Sequence, residues 1–249
     1  MSSRELASKR SFWKRKELRA GRRSRYVEVR EVSLETVAAD AVETGLVHQV
    51  VAVLATGKEA DVYLGLWNDA PLALKVYRYH RTPHKKNSMI GYAPDRMGAI
   101  AAREFTILTK AYRAGVPVPT PARRADNMFT MRFLGSSERA PQLKDAVVDR
   151  PEKVAEQVVS LVEKLLDACI IHGDLSEYNL VLMDGQLFVI DFPQAVDFSS
   201  RVDRHHQIEK GKPLLLRDLV NIESYFARYD VQLEAHRHYE RLLAKLQTE

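Results

Sequence analysis

A chain of 249 residues, 45% apolar and 29% charged, has the make-up of an ordinary globular protein. That length suits one large domain or two small lobes. No apolar run approaches the ~20 residues of a membrane span, and charges rather than an apolar stretch follow Met1, so neither a spanning helix nor a secretory signal is expected. The single cysteine, Cys169, excludes an intramolecular disulfide and a Cys-rich zinc site and agrees with a cytoplasmic location.

Residues 1–30 hold eleven Lys or Arg against three Glu, while the whole chain is only +5, so a basic arm precedes a mildly acidic body. Two readings of the arm stand: contact with nucleic-acid phosphates, and a solvated, poorly ordered terminus. Residues 32–45 are expected to be a helix, since Leu34, Val37, Ala41 and Val42 recur at helical spacing between a candidate cap, Ser33, and a stop, Gly45. Three β-like runs follow at 48–54, 61–67 and 71–77, the last with Leu72, Leu74 and Val76 in period two. Residues 78–98 read as a long polar loop, rich in Lys, Arg and His. A helix is expected over 97–114, ending at Gly115. The prolines of 115–121 enforce an extended stretch, and 128–133 is a strand candidate. Residues 151–169 form the clearest helix, opened by Pro151 and striped by Val154, Val158, Leu161 and Leu165. Short strands at 170–172 and 187–190 flank a polar loop, and helices at 214–229 and 231–247 close the chain. A sheet-rich part followed by a helix-rich part is an α+β pattern. It gives a basic arm at 1–30, an N-lobe at 31–134 and a C-lobe at 135–249.

Four separated pieces carry the chemistry. Thr56-Gly-Lys-Glu-Ala-Asp61 is a small polar turn between strands, able to aim Thr56 and backbone N–H groups at a phosphate; taken alone it reads as an ordinary hairpin turn. Lys75 sits amid an alternating apolar strand, where an ammonium needs a partner or a route to water. Glu104, on the following helix, is the candidate partner, in the manner of the strand lysine and helix glutamate of protein kinases; taken alone, Lys75 reads as a surface-edge lysine. His172-Gly-Asp-Leu-Ser-Glu-Tyr-Asn179 matches the kinase catalytic loop, in which His, a variable residue and Asp precede Asn five positions later. Asp174 is placed to take or orient the proton of an attacking oxygen, and Asn179 to offer a neutral oxygen to a metal. Asp191, ending the apolar run 187–190, supplies the carboxylate that magnesium needs besides phosphate oxygens and water.

Thr-Gly-Lys-Glu-Ala-Asp-Val-Tyr (56–63), Ala-Leu-Lys-Val-Tyr (73–77), Ala-Arg-Glu-Phe (102–105), His-Gly-Asp-Leu-Ser-Glu-Tyr-Asn (172–179) and Ile-Asp-Phe-Pro-Gln (190–194) resemble the RIO family of atypical serine/threonine protein kinases. The resemblance covers roughly residues 45–230 and implies a two-lobed kinase-like fold with a trimmed C-lobe. It implies an enzyme that uses ATP and Mg2+, with Mn2+ able to substitute, and passes the γ-phosphate to protein or to water. Thr56, Gly57, Lys58 and Glu59 would line the phosphates, Lys75, held by Glu104, would meet the α/β-phosphates, and Met131, Arg132, Phe133 and Leu134 would receive adenine through backbone groups. Asp174 would be the proton acceptor, Asn179 and Asp191 the metal ligands, and Asp191 in addition a site of aspartyl phosphorylation. Thr82 or Ser88, in the loop 78–98, would be autophosphorylated. In this family the partner is a maturing small ribosomal subunit, with which the basic arm is compatible.

Gly173 and Arg132 depart from the residues common at those positions. Only about 45 residues precede the resembling core, and 192–249 leaves little room for an activation segment, so a short form without a winged-helix domain is expected. The competing readings are a small-molecule phosphotransferase of the aminoglycoside or choline kinase type and an ATP-gated ribosome-assembly factor. His172 is expected to orient its loop, His205 and His206 to lie at the surface, and Cys169 to pack in the core. Tyr178 either packs or touches phosphate.

Overall fold

The computed structural model describes residues 13–20, 23–30, 33–77, 95–136 and 138–248. Most of the polar loop 78–98, with Thr82 and Ser88, lies outside the described residues. The chain forms two compact units, Met1–Ala101 with Arg123–Thr130 and Ala102–Ala122 with Met131–Glu249.

In the first unit, Trp13–Ala20 (β1) and Arg23–Arg30 (β2) pair antiparallel. The helix Leu34–Glu43 (α1) starts where Ser33 suggests. The Ser33 hydroxyl accepts from Thr36 N–H at 3.2 Å, and the Thr36 hydroxyl accepts from Ser33 N–H at 2.9 Å. This reciprocal cap satisfies two donors that a helix start leaves open. Gln49–Thr56 (β3), Ala60–Trp67 (β4) and Ala70–Tyr77 (β5) follow as an antiparallel meander. Asn68 and Asp69, both at positive φ, make the tight β4–β5 turn. Pro121–Ala125 (β6) and Met128–Arg132 (β7) complete a sheet of order β3-β4-β5-β7-β6. Val37 and Ala41 of α1 pack with Tyr63, Leu74, Val76 and Met128 of the sheet. Side chains alternate along a strand, so Leu74 and Val76 face this cluster while Ala73, Lys75 and Tyr77 share the opposite face. All five are buried. β5 is therefore covered on both faces, as a central strand can be.

The helix Asp95–Arg113 (α2) begins two residues before the expected position and leads the chain into the second unit. There, Pro151–Asp167 (α3) buries Val154, Val158, Leu161 and Leu165, the stripe read from the sequence. Ile170–Ile171 (β8) pairs with Val196–Asp197 (β11), and Leu180–Met183 (β9) with Gln186–Val189 (β10). The β9–β10 turn is Asp184-Gly185, both at positive φ, a pairing that favours two-residue hairpins. Arg204–Phe226 (α4) starts ten residues earlier than expected. Gly211 and Pro213 interrupt its pattern, yet the helix runs through both. A Cβ at position 211 would stand 2.4 Å from Ile171 Cδ1, so glycine admits β8 at close range. Ala235–Thr248 (α5) closes the chain, and its first N–H donates to the Glu223 carboxylate at 2.8 Å. Among the described residues no helix is long and apolar enough to cross a membrane.

Leu165 is 2% exposed and Val202 fully exposed. Leu165→Ala should therefore cost about 2–5 kcal/mol and Val202→Ser less than about 0.5 kcal/mol, measured by urea unfolding. Equal losses would contradict this core assignment.

Candidate active site

The loop between β8 and β9 is held by hydrogen bonds to its backbone rather than by its own regularity. His172 is 2% exposed. Its Nδ1 accepts from Asp174 N–H at 3.3 Å, and its Nε2 lies 3.1 Å from the Ile190 carbonyl. One tautomer serves both contacts, with the proton on Nε2 donating to Ile190. Burial lowers the His172 pKa against the opposing pull of the Ile190 bond and of Asp191, Asp174 and Glu104, so the ring is neutral. His172 thus orients its loop, as expected. Its ring also packs on Phe192, with centroids 5.0 Å apart.

Ile190 is bound at both polar groups. Its carbonyl meets His172, and its N–H donates to the Asn179 carbonyl at 3.0 Å. That second bond continues the β9–β10 ladder, in which Leu180 faces Val189. The two ends of the loop 172–179 are thereby pinned to the residue before Asp191. The Asn179 amide nitrogen donates to the Asp174 carbonyl at 2.8 Å and lies 3.4 Å from its carboxylate. Asp174, Asn179 and Asp191 are thus brought together, and among the described residues no hydrogen bond engages Asn179 Oδ1. Asp191 has φ +72°, a left-handed conformation that Asp tolerates better than most residues.

The four backbone groups flanking Asp174 are held by α4. The Asp218 carboxylate accepts from Gly173 N–H at 2.7 Å and Leu175 N–H at 2.8 Å. The Arg217 guanidinium donates to the Gly173 carbonyl, and the Asn221 amide to the Leu175 carbonyl at 3.3 Å. Gly173 itself has φ +77°, and a Cβ there would sit 2.9 Å from the Gln194 carbonyl oxygen. Glycine is required by backbone shape and by the nearness of a second backbone. Asp218 is 2% exposed. Its burial, aided by the Asp174 charge, raises its pKa to about 7, although the two N–H bonds and Arg217 pull the other way.

On the far side of Asp191, α2 clamps the chain. Glu104, 3% exposed, accepts from Phe192 N–H at 2.9 Å. The Arg103 guanidinium donates to the Pro193 carbonyl at 2.8 Å and to the Ala195 carbonyl. Lys110 pairs with Asp197 at 2.6 Å.

The remaining candidates divide between the units. Thr56, Gly57, Lys58 and Glu59 form an exposed β3–β4 turn closed by Gly57 N–H donating to the Ala60 carbonyl at 3.0 Å. Lys75 is buried on β5, its ammonium 5.2 Å from the Tyr77 ring centre. Glu104, Asp174, Asn179 and Asp191 belong to the second unit. So do Met131 and Arg132 at the end of β7, and the buried Phe133 and Leu134 beyond it. Arg132 points outward, its N–H donating to the Thr120 carbonyl at 2.8 Å, and Leu134 packs with Val181 and Phe188. Sequence reasoning missed Arg103, Arg217, Asp218 and Asn221 as positioning residues. Arg103 lies inside a motif read for its neighbour Glu104, whereas Asp218 lies 45 positions past Gly173 in a pattern broken by Pro213.

A family model for the RIO domain matches residues 61–239. The chain is 33% identical over 212 residues to the RIO-type serine/threonine-protein kinase Rio1 of Haloferax volcanii, an alignment covering 80% of this chain and 70% of that protein. It is 29% identical over 208 residues to the serine/threonine-protein kinase rio1 of Dictyostelium discoideum, covering 76% of this chain but 35% of that protein. The chain thus spans most of the archaeal relative and about a third of the amoebal one. The crystal structure of the Rio2 kinase-ADP/Mg2+-phosphoaspartate complex from Chaetomium thermophilum superposes with a TM-score of 0.65 at 17% identity, covering 99% of this chain and 84% of that one. That likeness shows a protein-kinase-like fold.

Between the ordinary carboxylate value and about 7, the folded chain holds a proton on Asp218 that the unfolded chain has released. Stability should fall as pH rises through that window and level off above it. Asp218→Asn should lower stability and flatten this slope in urea titrations from pH 4.5 to 8. An unchanged slope would place the proton elsewhere.

Proposed function

Because the chain belongs to the RIO domain family, we propose that it is an ATP- and magnesium-dependent RIO-type serine/threonine kinase that passes the γ-phosphate to protein, itself included, or to water. The observation that carries this reading is the doubly bound Ile190, which gathers Asp174, Asn179 and Asp191 onto one rigid piece of backbone. Asp174 takes or orients the proton of the acceptor hydroxyl. The Asn179 amide nitrogen is occupied by Asp174, so its oxygen would be the atom to ligate a cation. Asn179 Oδ1 and one Asp191 carboxylate suit magnesium, which takes oxygen ligands and keeps water and phosphate as the rest. The ion would supply charge neutralisation at the phosphate oxygens.

By family resemblance, Lys75 meets the α/β-phosphates, Thr56–Glu59 lie along them and Met131–Leu134 receive adenine. The family match does not favour a small-molecule phosphotransferase or a factor that only binds ATP. For the partner, the eleven Lys and Arg of residues 1–30 support contact with RNA phosphates. A cytoplasmic location fits the single cysteine.

With γ-labelled ATP and magnesium, Asp174→Ala should lower phosphate transfer and release about 10²–10⁴-fold while ATP still binds. Asp191→Ala should also weaken magnesium-dependent ATP binding. Acid-labile label would mark an aspartyl phosphate and acid-stable label a hydroxyl ester. A folded wild-type protein that binds no ATP would refute the assignment. Deleting residues 1–30 should reduce the steepness with which RNA affinity falls with salt, by about 0.7 in log–log slope per lost contact on a single strand. An unchanged slope would remove the arm from the interface.

A further inference from the structure

Beside the loop that carries Asp174 lies a groove of about 360 Å³, within the ~300–1,000 Å³ of ligand-binding clefts. One wall is Ser176-Glu177-Tyr178, the three residues immediately before Asn179. The other is Asn221, Ser224 and Tyr225 at the end of α4, followed by Arg228 in the 3-10 turn Ala227–Tyr229. Asn221 bonds the carbonyl of Leu175, next to Asp174. The groove is therefore fixed to the same backbone as the proposed proton acceptor.

The chemistry of the groove is specific. Tyr178 is 56% exposed and presents its ring to solvent, with the Lys144 ammonium 5.4 Å from the ring centre. The Arg228 guanidinium lies over the Tyr225 ring, 4.3 Å from its centre, and its Nε donates to the Tyr225 carbonyl at 3.3 Å. The ring contact and the Nε bond hold the guanidinium in place at the groove, of which Arg228 is a lining residue. Among the described residues, no carboxylate forms an ion pair with Arg228. The Tyr225 hydroxyl donates to the Leu143 carbonyl at 2.8 Å, so the platform under Arg228 is itself anchored. Glu177 lines the same groove, and its negative charge opposes a continuous polyanion such as an RNA backbone. A polypeptide with one acidic side chain meets both requirements: its carboxylate reaches Arg228, and its other residues pass Glu177 and Tyr178.

We propose that this groove binds the acceptor polypeptide and that Arg228 selects an acidic side chain at a fixed distance from the phosphorylated hydroxyl. The inference rests on the kinase reading above. The test uses serine peptides in which a glutamate is walked along the sequence, assayed for phosphate transfer, with peptide-free ATP hydrolysis followed in parallel. The wild-type protein should prefer glutamate at one offset by about fivefold or more in kcat/KM, the size expected of a charge-assisted contact. Arg228→Glu should reverse that preference toward lysine at the same offset while leaving peptide-free ATP hydrolysis unchanged. Arg228→Lys, which keeps the charge and most of the packing, should retain the preference in weaker form. An offset preference that survives Arg228→Glu would overturn the proposal. So would the absence of any preference, failure to phosphorylate any peptide, or an effect of Arg228→Glu on RNA affinity alone. ATP hydrolysis in the same samples separates these outcomes from failure of the kinase reading, which would abolish hydrolysis as well.

Discussion

The buried carboxylate of Asp218 fixes the backbone on both sides of Asp174. A carboxylate removed from water is costly unless it is well hydrogen-bonded, and here it accepts the N–H groups of Gly173 and Leu175. Arg217 and Asn221, from the same helix, take the two matching carbonyls. The loop has no secondary structure to satisfy these groups, so α4 satisfies them in its place. The direction of the Asp174 side chain follows from that, because its own peptide groups have no freedom to turn. Gly173 belongs to the same constraint: its left-handed backbone and the nearby Gln194 carbonyl leave no room for a side chain.

A second set of bonds fixes Asp191. Ile190 is gripped from one side by His172 and Asn179, and Phe192, Pro193 and Ala195 are gripped from the other by Glu104 and Arg103. Held at both flanks, Asp191 keeps a backbone conformation that an unconstrained chain would rarely visit. His172 contributes as a neutral ring with both nitrogens engaged, a role for which its burial, and the lowered pKa that follows, is suited. The groove extends this architecture outward, since the residues that line it follow those that hold the loop along the same stretch of chain, with Asn221 serving both.

The sequence was most informative where a local rule acts alone. The Ser33 cap, the Pro151 start, the apolar stripe of α3 and the β3–β4–β5 meander all appear near their expected positions. The motif residues Asp174, Asn179 and Asp191 were legible because their order and spacing are characteristic. The β9–β10 hairpin carried a usable signal in Asp184-Gly185. The start of α4 was hidden because Gly211 and Pro213 oppose helix by local propensity, whereas packing against Ile171 at close range favours a small residue there. The antiparallel pairing of β1 and β2 was hidden beneath their charge.

The sequence by itself determined the type of fold, most of its helices, the strands β3 to β5, and the three polar residues whose spacing marks the candidate site, because periodicity, capping and motif spacing are properties of neighbouring residues. Only the tertiary structure decided that both faces of β5 are covered, that Asp218 and Arg217 hold the loop that carries Asp174, and that Arg228 shares a groove with Tyr178. Those relations join residues far apart in the chain through hydrogen bonds and close approach, and such pairings leave no periodic trace in a single sequence.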